Sequence, residues 1–166
     1  MANIYKIYME SIKKNLGYFA IWPIQTTFKL GDYGELINGQ FKRRGNIKDD
    51  HNININVLKN STKNDMKFND GIRLNTSIET NCNRAKVNLK FNKNKGIYFH
   101  LEDCTSKCIN NYEKVGNEIL KLSSKSKWKE SYVLVSELVE AKSSMIIVSN
   151  EKNGEIELTA DLDESN

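Results

Sequence analysis

Apolar residues in this chain recur with two periods, one near four residues in two segments and one of two residues almost everywhere else. Ile4, Ile7, Tyr8, Ile12 and Leu16 share one face of a helix over 3–16, with Lys6, Glu10, Lys13 and Lys14 off that face. Asn3 is placed to cap its start, and Gly17 to end it in the left-handed conformation. A short apolar run, 18–22, stops at Pro23, which pushes Trp22 into an extended conformation. Strands follow at 26–30 and 34–44. The second is folded back by Asn38-Gly39, the pair that best tolerates the two positive φ angles of a type I′ turn, so Glu35-Leu36-Ile37 faces Gln40-Phe41-Lys42. Gly31-Asp32-Tyr33-Gly34 reads as a turn.

Ile53, Ile55 and Val57 alternate with asparagines and predict a half-buried strand, after which 60–69 reads as a polar loop. Two more alternating strands carry Ile72, Leu74, Thr76 and Ile78, then Ala85, Val87, Leu89 and Phe91. The connections are short, so 72–79, 84–91 and 97–101 are expected to form an antiparallel meander. Asp103 or Thr105 then caps a second helix striped by Cys108, Tyr112, Val115, Ile119 and Leu122. The last third is the densest: strands at 131–139 and 144–149, then Asn153-Gly154 and a third strand. The first of these is apolar on both faces and reads as a central strand. Glu137 lies on its Val133, Val135, Val139 face and reads as a position open to water. Residues 162–166 form a tail. The order predicts one α+β domain over 1–166. Its sheet is twisted and mostly antiparallel, with an N-terminal amphipathic helix and a second helix before the last three strands.

Composition narrows the class. Hydrophobic residues make up 39% and charged residues 28%, with one proline, which fits a globular chain rather than a disordered one. The net charge of +4 is spread over Lys13-Lys14, Lys42-Arg43-Arg44, 86–95 and 121–129. That is too weak and dispersed for specific nucleic-acid recognition, and fits a solvated surface or a basic face for anionic phospholipid. No run approaches the roughly 20 apolar residues of a spanning helix. The N-terminus lacks the charged-then-apolar order of a signal peptide, and three cysteines without such a signal point to a reducing cytoplasm. The expected location is cytoplasmic, with peripheral attachment to the inner face of the membrane as a variant.

Candidate chemistry is sparse. His100, Cys104 and Cys108 follow one another in steps of four, and three soft ligands could begin a zinc site. No Cys-x-x-Cys pair accompanies them, and Cys82 is the remaining thiol, so packing roles are expected and no metal or cofactor. His51 sits in a polar loop and reads as solvated. There is no G-x-S-x-G turn and no phosphate loop, and Glu102-Asp103 and Asp49-Asp50 read as loop or capping residues. The expected protein is not an enzyme.

One resemblance stands out. Ser131-Tyr132-Val133-Leu134-Val135-Ser136-Glu137-Leu138-Val139 follows a helix and precedes a charged strand with a Gly-containing turn, as 144–158 supplies. It resembles the Tyr-Val-Val-Thr-Glu-Val-type strand of the gasdermin pore-forming domain, over 104–160. The N-terminal helix and the basic hairpin 36–44 suit the comparison. A cysteine near the N-terminus, which carries a lipid in some bacterial members, is missing. The resemblance implies association with anionic membranes, self-assembly and strand insertion, with Ala85, Val87, Leu89 and Phe91 facing lipid and Lys86, Asn88 and Lys90 facing water. The surface expected to meet lipid or a partner is Lys13, Lys14, Leu36, Ile37, Phe41, Lys42, Arg43 and Arg44. The competing class is a soluble protein-binding module, such as an inhibitor, immunity or regulatory subunit, using a sheet edge or helix face.

Overall fold

A computed structural model describes residues 4–23, 26–79 and 84–161. Asn3, Cys82 and the tail 162–166 lie outside the described residues. The chain is α+β. Its elements run α1 (Ile4–Leu16), β1 (Asp32–Ile37), β2 (Gln40–Asn46), α2 (Ile47–His51), β3 (Val57–Asp70) and β4 (Ile72–Glu79). Then follow β5 (Arg84–Phe91), β6 (Gly96–Ile109), α3 (Tyr112–Ser124), β7 (Tyr132–Leu134), β8 (Glu137–Glu140), β9 (Ser143–Ser149) and β10 (Glu155–Asp161). They form two compact units, one of Met1–Ala20, Met66–His100 and Ser144–Asn166, the other of Ile21–Asp65 and Leu101–Ser143.

In the first unit, α1 buries Ile7, Tyr8 and Ile12 as its periodicity requires. It ends at Gly17, whose φ of 77° suits glycine and whose N–H donates to the Lys13 carbonyl at 3.1 Å. Antiparallel β4 and β5 pair from Ile72↔Phe91 to Glu79↔Arg84. The core is Ile72, Leu89, Phe91 and Tyr98, with Leu74, Val87, Ile147 and Ile156 packed against it.

The expected meander does not close. The second neighbour of β5 is β10, with Ile156 opposite Leu89, and 97–101 lies in β6, which pairs with β3. The turn before β10 explains this. Phe91 N–H donates to the Gly154 carbonyl at 2.9 Å and Asn153 N–H to the Phe91 carbonyl at 2.8 Å, which fastens the last strand to the end of β5. The last three strands therefore do not run as neighbours: β8 and β9 both pair with β6, and β10 with β5.

In the second unit, β1 and β2 form the expected hairpin, with Leu36 opposite Phe41, Asn38 at φ 52° and Gly39 at φ 80°. β1 starts two residues early. Asp32 and Tyr33 belong to the strand, and a bulge with a register shift at Tyr33/Gly34 stands where a turn was expected. Residues 26–30 form no strand. The run 131–139 is not one central strand. β7 pairs with β1 (Gly34↔Val133), and β8 pairs with β6 (Ser106↔Val139). Val135 N–H still donates to the Asp32 carbonyl at 2.8 Å and its own carbonyl accepts from Gly31 N–H at 2.9 Å, while the carbonyl of Ser136 accepts from Ile109 N–H at 2.9 Å. The chain changes sheet within one residue, so its two apolar faces serve two sheets. Glu137 is exposed, as its place in the strand implied.

Two further expectations change. Residues 60–69 belong to the 14-residue strand β3, mostly exposed and held through its backbone pairing with β6. The second helix begins late. Residues 103–109 continue β6, so Cys104 and Cys108 are strand residues, and α3 starts after Asn111. Asn111 does not cap it in the usual way. Its side chain instead accepts from Asn56 N–H at 2.7 Å and donates to the Asn54 carbonyl at 3.1 Å, tying the segment before β3 to the start of the helix. Ile109, Val115, Ile47, Ile53, Leu30, Tyr33 and Trp128 make this unit's core, with Ile119 and Leu122 partly buried against it.

Candidate functional site

A connected polar network lies at the base of the β1–β2 hairpin. Asp32 is 1% exposed. One of its oxygens accepts from Asn46 Nδ2 at 2.8 Å and lies 3.0 Å from Arg43 Nε, and the other accepts from Lys29 N–H at 2.9 Å. Three donors are what a buried carboxylate needs to offset its lost hydration. Asn46 works in two directions. Its Nδ2 also donates to the Leu30 carbonyl, and its Oδ1 accepts from Lys48 N–H, capping α2. α2 is a single turn, too short to show an apolar period. Its legible signal was Asn46 followed by Asp49-Asp50, a capping residue before an acidic first turn.

Asp50 then closes the hairpin base. It accepts from Asn46 N–H at 3.0 Å and holds the Tyr33 hydroxyl, whose pKa is raised by burial and by this bond. Gly45 leaves the room: a Cβ there would sit 1.7 Å from Asp50 Oδ2. Around Tyr33 lie Trp128 at 5.0 Å, Tyr132 at 5.4 Å and His51 at 5.5 Å between ring centroids. His51 is therefore not a solvated loop residue. It ends α2 and packs on Tyr33 and Trp128, with Nε2 buried and unbonded. The rings of Tyr33, His51, Trp128 and Tyr132 pack on one another. The arrangement is a clasp that fixes the root of the hairpin.

The hairpin tip is different in character. Leu36 is 37% and Ile37 45% exposed, while Phe41 is half-buried, edge-on to Phe28 at 5.1 Å. Lys42, Arg43 and Arg44 are exposed, but two of these cations are held. Arg43 bonds Asp32, and Arg44 bonds Glu35 through Nη2 at 2.8 Å and Nε at 3.3 Å. Ser131 Oγ donates to the other Glu35 oxygen at 3.0 Å. Hydrogen bonds from Arg44 and then Ser131 hold the Glu35 carboxyl below its usual range. Lys13 and Lys14 belong to α1, in the other unit. Lys13 Nζ caps the helix end on the Gly17 carbonyl and lies 4.1 Å from the Phe19 ring centroid.

His100, Cys104 and Cys108 follow one another along β6. Extended residues four apart are separated by roughly 13 Å, so the three do not converge on one ion. Cys104 is buried. Among the described residues no group of three His, Cys, Asp or Glu side chains is placed to hold a metal. A shallow cleft of about 490 Å³ is lined by Asp65, Glu102, Asp103, Lys142 and Ser143. Its polar groups bond one another: Asp103 N–H to Asp65, Lys142 N–H to the Glu102 carbonyl, and Ser143 Oγ to the Glu102 carboxylate. Among the described residues, no helix is long and apolar enough to cross a membrane. No protein-family model, curated protein or solved structure matches this chain.

Proposed function

We propose that this chain is a non-catalytic binding protein that engages a protein partner through the tip of the β1–β2 hairpin. The observation that carries the reading is the contrast within the hairpin. Its root is fastened by the Asp32–Arg43–Asn46 network, while Leu36 and Ile37 stand exposed at its end. An apolar pair on a rigid support loses little conformational freedom on docking, so more of its burial energy appears as affinity. Arg43 and Arg44 are each bonded to a carboxylate, which weakens the attraction to anionic lipid that a membrane role needs.

Membrane association of the gasdermin type is the second reading. It is favoured by the same exposed apolar pair beside Lys42. The stretch that carries the resemblance divides into β7 and β8, which join different strands.

One pair of experiments separates the two. The purified chain is sedimented with phosphatidylglycerol–phosphatidylcholine vesicles at low and physiological salt. A photo-crosslinking residue is placed at position 36 in the native cell. The protein-partner reading expects no vesicle binding and one discrete crosslinked protein, lost when Ile37→Asp is added without change in melting temperature. Salt-sensitive vesicle binding that weakens with Lys42→Glu, accompanied by dye leakage, would transfer the assignment to the membrane.

A further inference from the structure

We draw no further inference here: the strongest candidate, the exposed face of α3 on which Tyr112 and Leu120 flank Gly116 with open space at the glycine, is an unpartnered apolar face, and nothing in the structure shows what covers it.

Discussion

A methyl group added at Gly34 would sit 2.0 Å from the backbone carbonyl oxygen of Lys42. Because backbone rather than a side-chain end is in the way, the hairpin must open to admit it. Gly34→Ala should cost about 1–3 kcal/mol in a denaturant melt, whereas Gly116→Ala should be neutral or stabilising. Asp32→Ala removes one of the two acceptors of the buried Asn46 Nδ2, the acceptor of the part-buried Lys29 N–H and the partner of Arg43, and should cost about 1–3 kcal/mol. Equal melts for wild type and Asp32→Ala would show that the network at the hairpin root is dispensable. In this hairpin the Asn38-Gly39 turn was legible in the sequence, because its chemistry is local. Asp32 and Gly34 draw their roles from Asn46 and Lys42, 14 and eight positions away, and no pattern of neighbours discloses that.

At the scale of elements, α1, the hairpin, β4, β5 and the position of α3 followed from periodicity, since each buries one continuous face. The misreadings share a cause. Strand β3 is stabilised by backbone pairing and carries almost no apolar alternation, so 60–69 looked like a loop. The run 131–139 looked doubly buried because it serves two sheets in turn. Residues 103–109 looked helical because Cys108, Tyr112 and Val115 are spaced like a helix stripe, yet the strand continues to Ile109. The same revision changes what α3 contributes. Leu122 is only partly buried and Ile109 is fully buried. Ile109→Ala should therefore cost about 2–5 kcal/mol, and Leu122→Ala about 1–2 kcal/mol. Chemical denaturation of both variants checks the order. A larger loss for Leu122 would mean that α3 packs with a different face.

For the whole molecule, the α+β class followed from the succession of patterns, while the strand order did not, because pairing between distant strands leaves no local trace. Charge was legible as a sum and not as pairs. Those pairs set the response to pH. Arg44 and Ser131 lower the Glu35 pKa, Lys93 lowers that of Asp70, and Lys121 lowers that of Glu118. A carboxyl whose folded pKa lies below its unfolded value adds stability that is full above the ordinary carboxylate range, about pH 4, and is lost as pH falls through the folded value. Tyrosines act in the opposite direction. Burial raises the pKa of Tyr8, burial and then the Asp50 bond raise that of Tyr33, and the Cys108 bond and then burial raise that of Tyr112. Their contribution is full below about pH 10 and is lost as pH rises through the raised values. Melting temperature should therefore show a plateau between these limits, falling on both sides. The carboxylate pairs are largely exposed, so the acid limb should be shallow and should flatten further in high salt. Glu35→Gln should remove part of the acid limb and leave the alkaline one, while Tyr33→Phe should soften the alkaline limb alone. If Glu35→Gln melts with an unchanged acid limb, the Arg44–Glu35–Ser131 contacts contribute nothing to holding the hairpin. The rigid support on which the proposed recognition surface depends would then rest on the Asp32–Arg43–Asn46 network and Asp50.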